Sequence, residues 1–210
     1  MLGRNQQIEL FREVRLEAFL NQKIRSIKNI IDRYTESHIS NINTEIEIKS
    51  LIESSGLNVP KLKKVETSTE ISEEQISGYQ LPSGRSFVPG KLYEIEIANY
   101  TIPFSGNGDF FKCLPKSFSQ RIVLAILSQN SLTIKLTNWG KISGNDEAIK
   151  YLKTELLQNV EVVENYLSAL QKDVDEFVPE LEKSLTSYIE NMKKNINVKN
   201  DSSDKLNPFI

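Results

Sequence analysis

The acidic run from Asn145 to about Asn195 constrains this chain more than any other stretch. From Leu152 its apolar residues recur at Leu156, Val160, Val163, Leu167, Leu170, Val174, Phe177 and Leu181, in steps of three and four. That spacing lays one apolar seam along one side of an α-helix. Asn145 or Asp146 can cap its start, and Asp146 and Glu147 fall in the first turn, where the helix dipole favours negative charge. A helix of about 50 residues, rising roughly 1.5 Å per residue, reaches about 75 Å. A globular chain of 210 residues has no need of such a rod, so the rod itself is the predicted framework.

A second helical pattern covers about Asn5 to Glu36. Leu10, Val14, Leu20, Ile24, Ile27, Ile31 and Tyr34 mark its apolar side, with no Gly or Pro after Asn5 to interrupt it. Residues 2–37 hold seven Arg or Lys against five acids, whereas residues 146–194 hold six Lys against eleven acids. A mildly basic helix and a strongly acidic one are expected to pair antiparallel, with residue 37 level with residue 146. Exposed charge pairs act more on register than on stability. Thr44 and Glu47 fit a capping box for a short helix that Gly56 can close and Pro60 prevents from continuing.

Between Leu62 and Gly144 the pattern turns strand-like. Leu92 to Ala98 alternates Tyr93, Ile95 and Ile97 with Glu94 and Glu96, and Arg121 to Leu127 and Leu132 to Thr137 read as a hairpin. Lys64 to Glu70 and Arg85 to Val88 are weaker strand candidates. The predicted fold class is α+β: two long antiparallel, coiled-coil-like helices flanking a small, mainly antiparallel β-rich domain. Its parts are a stalk helix over 1–38, a short helix and linker over 39–60, the β-rich domain over 61–144, the second stalk helix over 145–196 and a flexible tail over 197–210.

A net charge of −2 gives no global bias toward nucleic acid or anionic membrane. Cys113 is the sole cysteine, which excludes an internal disulfide and points to a reducing, cytoplasmic setting. No apolar run approaches membrane-spanning or signal-peptide length, so no membrane partner is expected.

The residues available for catalysis are few. His38, the only histidine, is expected in a capping or solvent-facing role, and no catalytic residue, metal ligand or cofactor is assigned. Gly84 to Lys91 imitates a phosphate-binding loop but spaces its glycines wrongly, puts Leu92 where Ser or Thr is required, and precedes a strand. Glu94 and Glu96, about 7 Å apart on one strand face, could share a cation; the plainer expectation is the wet face of an edge strand.

The most distinctive segment is the excursion from Tyr100 to Arg121, which crowds aromatics, prolines and glycines together. No acid occurs from Phe110 to Asn145, while Lys112, Lys116 and Arg121 fall within that span. Phe104, Phe110 and Phe111 are expected to anchor the loop in the core of a thin sheet. With the three cations they are also the candidate site for a polyanion or single-stranded nucleic acid. At the other end of the chain, Asn207-Pro208-Phe209 spells a short peptide motif of the kind adaptor domains bind.

The expected function is a non-enzymatic assembly or interaction module whose stalk presents the β-rich domain to a protein partner. A ligand-sensing or nucleic-acid-contacting subunit is the alternative, and an enzyme with an unrecognised carboxylate site the second. In an antiparallel hairpin the second helix outruns the first by about 16 residues, or about 24 Å. That overhang carries Leu181, Leu185, Tyr188, Ile189 and Met192, too apolar to stay wet. A homodimer or larger assembly is therefore predicted, with Pro179 bending the helix where the overhang begins.

Overall fold

A computed structural model describes residues 6–116 and 121–206. The tail motif at 207–209, Phe118 and the first residues of the expected N-terminal helix lie outside the described residues. The architecture is mixed helix and sheet, with a mainly antiparallel sheet and a long C-terminal helix.

In chain order the strands are β1 (Ile8–Glu9), β2 (Val14–Arg15), β3 (Lys61–Leu62), β4 (Ser68–Ser77), β5 (Leu92–Ser105), β6 (Cys113–Leu114), β7 (Leu124–Leu127) and β8 (Ser131–Leu136). The helices are α1 (Leu16–Ile31), α2 (Glu36–Asn41), α3 (Thr44–Ser54) and α4 (Asp146–Leu206). The main sheet runs β1-β7-β8-β5-β3, with β4 along the same edge of β5 as β3; β2 and β6 form a separate parallel pair.

α4 is the spine of the fold. Its 61 residues extend about 90 Å. Asn145 caps it, its side-chain oxygen accepting the Ala148 N–H at 3.0 Å. The helix runs unbroken through Pro179, whose missing N–H leaves the Asp175 carbonyl without its intrahelical donor. Its first turns lie under the sheet, where Leu152 packs with Ala98, Tyr100 and Ile142. Further along, Val160 and Val163 join Ile102, Phe104, Leu132 and Ile134 in the main core.

The second half of α4 meets α1 and α3. The N-terminal segment is not the long helix that its apolar spacing predicts. Leu10 N–H donates to Val123 O at 3.0 Å and Glu13 N–H to Lys112 O at 3.1 Å, so the first residues join β7 and β6 instead. Phe11 takes φ 60°, a region that L residues avoid. Its ring is fully buried, stacked on Tyr166 at 4.6 Å between centroids. Burial of the ring offsets the backbone cost, and the turn aims α1 away from the sheet.

α1 therefore runs parallel to α4, not antiparallel. Leu16 and Leu20 stand beside Phe177 at its start. Near its end, the Lys28 ammonium lies 5.1 Å from the Tyr188 ring centre and the Tyr188 hydroxyl donates to Asp32. The chain then turns through α2 and returns along α3. Thr44 Oγ1 donates to Glu190 at 2.7 Å, while Ile48 and Lys49 stand beside Glu182 and Thr186, so α3 is antiparallel to α4. Asn43, one residue before the expected cap, accepts from the N–H groups of Glu45 and Ile46.

This hairpin changes the meaning of the apolar stripe assigned to a second copy. Leu181, Leu185 and Ile189 are buried in the chain's own core, and Tyr188 and Met192 pack against it half-buried. The overhang rested on the start of the first helix, residue 5, lying level with residue 178 of the second. Because α1 and α3 climb the upper half of α4, the stripe is already covered and does not call for a partner copy.

β5 also departs from expectation. It pairs with β4 over Leu92–Thr101 but with β8 only over Ala98–Pro103, so Glu94 has a strand on one side alone and stays exposed, whereas Glu96 is buried and its N–H donates to Gly140 O at 3.1 Å in the loop after β8. Lys64–Glu66 is a short 3-10 turn, the strand follows at Ser68–Ser77, and Arg85 to Val88 is loop.

Candidate functional site

The excursion after β5 is tied down. Gly106 has φ 98°, and a Cβ there would stand 2.9 Å from Pro60 Cα, so glycine is required where the two segments cross. Asn107 N–H donates to Asn58 O and its amide to Gly56 O, both at 2.8 Å. The short helical turn Gly108–Lys112 then delivers Phe110 and Phe111 to the interior. Phe110 meets Phe19 edge-on at 5.0 Å and Phe111 meets Phe104 at 4.9 Å between ring centres. All three predicted aromatics are core residues, with no face left for a base or ligand.

The three predicted cations do not converge. Lys112 lies 3.9 Å from Glu13. Lys116 lies 4.0 Å from Asp173 and 3.9 Å from Glu176. Arg121 reaches Glu155 at 3.8 Å and also donates to Gln158 and Asn159. The closest-spaced of their α4 carboxylates, Asp173 for Lys116 and Glu155 for Arg121, are 18 residues apart, or about 27 Å along the helix. An acid-free stretch of sequence has become a set of cations each opposite a carboxylate of another element.

The other candidates are also committed to structure. His38 packs edge-on against Tyr34 at 4.4 Å. Cys113 is buried, and that burial pushes its thiol up to about 12. Glu96 Oε2 accepts the N–H groups of Ile142 and Ser143, each at 2.6 Å. These bonds, the Ser143 N–H foremost, hold its carboxyl below the usual range against the opposing effect of burial. Glu96 thus pins the loop into α4, while Glu94 stays exposed beside Gln75. Among the described residues, no three His, Cys, Asp or Glu side chains are grouped to hold a metal, and no helix is long and apolar enough to cross a membrane.

What the chain does build is a groove of about 610 Å³ where α1 leaves β2 and passes α4. Leu16, Leu20, Leu114, Pro115 and Phe177 give it an apolar floor. Glu17, Asp173, Glu176 and Glu180 stand around it with Arg15 and Lys116. Asp173 sets one wall: only 9% exposed, it accepts the Lys116 backbone N–H at 3.0 Å. The volume falls in the range of sites that seat small molecules or a few side chains. Lys116 is the one predicted site residue that lines it. Spacing in the sequence could not reveal the rest, because residues 15–21, 114–116 and 173–180 meet only when α1 runs parallel to α4.

No protein-family model matches the chain, and neither a curated protein nor a solved structure matches it.

Proposed function

We propose that this protein is a non-enzymatic interaction module in which α4 is a rigid spine and the α1–α4 groove seats a segment of a protein partner. The observation that carries this reading is the groove itself, apolar at its floor and polar around its rim, on helices anchored in the main core. Such a layout suits recognition, where apolar side chains supply affinity and a charged rim supplies orientation. Two of the groups able to do acid-base or nucleophilic work are committed to structure, Glu96 by backbone amides and Cys113 by burial.

The test is photo-crosslinking in the source cells. A benzophenone amino acid replacing exposed Asn21 on the rim should yield one dominant adduct with another protein. The same group replacing exposed Tyr151, at the sheet end of α4, should not. Adducts from Tyr151 alone, or none from either position, contradict the proposal.

A further inference from the structure

Resting on that docking reading, we infer that the occupant is a cationic, amphipathic segment of the partner, with Lys or Arg flanking a short run of large apolar side chains. The groove's charge argues for it. Four carboxylates stand around the apolar floor against two cations, and Lys116 is already engaged by Asp173 and Glu176. Among the described residues Glu17 and Glu180 make no ion pair, although both are exposed at the rim. They lie on opposite walls, one on α1 and one on α4. An apolar segment entering between them without positive charge would desolvate this carboxylate pair uncompensated, and an acidic one would be repelled.

Size narrows the occupant further. From Asp173 to Glu180 the α4 wall covers two turns, about 10 Å, which matches two turns of a partner helix. Glu176 and Glu180 are spaced i, i+4, so cations one turn apart on the occupant meet them in register. A second copy of α4 fits poorly, because residues 146–194 carry eleven acids against six lysines and acid would face acid. Nucleic acid is disfavoured on the same ground.

The experiment uses the full chain and two fluorescein-labelled helical peptides of about 18 residues, one built of Leu and Lys, the other of Leu and Glu in the same apolar pattern. Anisotropy titrations at about 25 mM and about 250 mM salt give the charge dependence. The Leu/Lys peptide should bind saturably and weaken with salt, and the Leu/Glu peptide should not bind. Glu176→Lys with Glu180→Lys should weaken binding by about tenfold or more. Asp201→Lys with Asp204→Lys, the same change of net charge at the exposed end of α4, should stay within about twofold. Phe177→Ala, which removes apolar lining from the groove without changing charge, should weaken binding by about tenfold or more even if the reversed-charge variant is poorly folded.

Equal loss from the Asp201 and Asp204 pair marks diffuse attraction and overturns the inference, as does absence of saturable binding. Preference for the Leu/Glu peptide, or a crosslink from position 21 that maps to an acidic partner segment, overturns the cationic occupant while leaving the docking groove in place.

Discussion

Leu185 separates an internal helix packing from an oligomer interface. It is fully buried, on the part of α4 that faces α1 and α3. Replacing Leu185 with Ala removes three carbons, a transfer loss of about 2.4 kcal/mol at about 0.8 per carbon. A residual cavity of about 50 Å³ adds about 1.2 kcal/mol. The sum, about 3.6 kcal/mol, lowers the melting temperature of a chain this size by about 7–14 °C. Circular dichroism melts and light scattering on the same samples report the two quantities that matter. The expected result is a lower melting temperature with no change in mass. Leu185→Asp, which puts a charge in the same site, should prevent the α1–α3 hairpin from docking at all. A variant that halves the particle mass while melting like the parent would refute the reasoning, because it would place Leu185 between chains.

Three further outcomes follow from the core and the buried groups. Phe110→Ala should cost about 3–5 kcal/mol, read from denaturant unfolding, since the ring is wholly buried against Phe19. The Cys113 thiol, pushed from 9.0 to about 12 by burial, should resist iodoacetamide at about pH 8 in the native chain and react once unfolded. Because its folded value is the higher, the stability it contributes is full below pH 9.0 and is lost as pH rises toward about 12. Glu96 has the opposite sign: its folded value lies below 4.5, so its contribution is present above pH 4.5 and lost as pH falls through the lower folded value. Glu96→Gln should flatten that acid limb in a plot of unfolding midpoint against pH.

Features that depend on local pattern were legible in the sequence. The α4 seam and its Asn145 cap, α3 with Gly56 at its close, the β7–β8 hairpin and the core role of Phe104, Phe110 and Phe111 all follow from periodicity, turn chemistry and apolar clustering. Features that depend on which element lies opposite were not. Apolar spacing from Leu10 to Tyr34 fits a single helix, yet Leu10 and Phe11 belong to a strand-and-turn segment held by β7 and the Phe111 region. The positive φ of Phe11 has no sequence signal, because it is imposed by the pocket that receives the ring.

Charge misled in a similar way. Opposite net charges suggested antiparallel helices, but exposed pairs contribute too little to choose direction; the chain path from β2 into α1 chose it instead. β4 is rich in Ser, Glu and Gln, and pairs with β5 along its whole length because the neighbouring strand offers a full ladder. Glu96 looked solvated because alternation says which face a side chain takes, not what covers that face.

The direction of α1 along α4 is the central claim, since the groove exists only if they run parallel. Pulsed electron-spin distances between labels at Arg33→Cys and Tyr151→Cys test it directly, with buried Cys113 left unlabelled. Residue 33 lies above Tyr188 in the bundle, about 37 helical residues from Tyr151, so the predicted separation is about 55 Å. The companion pair Arg33→Cys and Lys194→Cys should be short. A separation of about 15 Å for the 33–151 pair would mean an antiparallel hairpin, and with it the groove and its occupant would both be wrong.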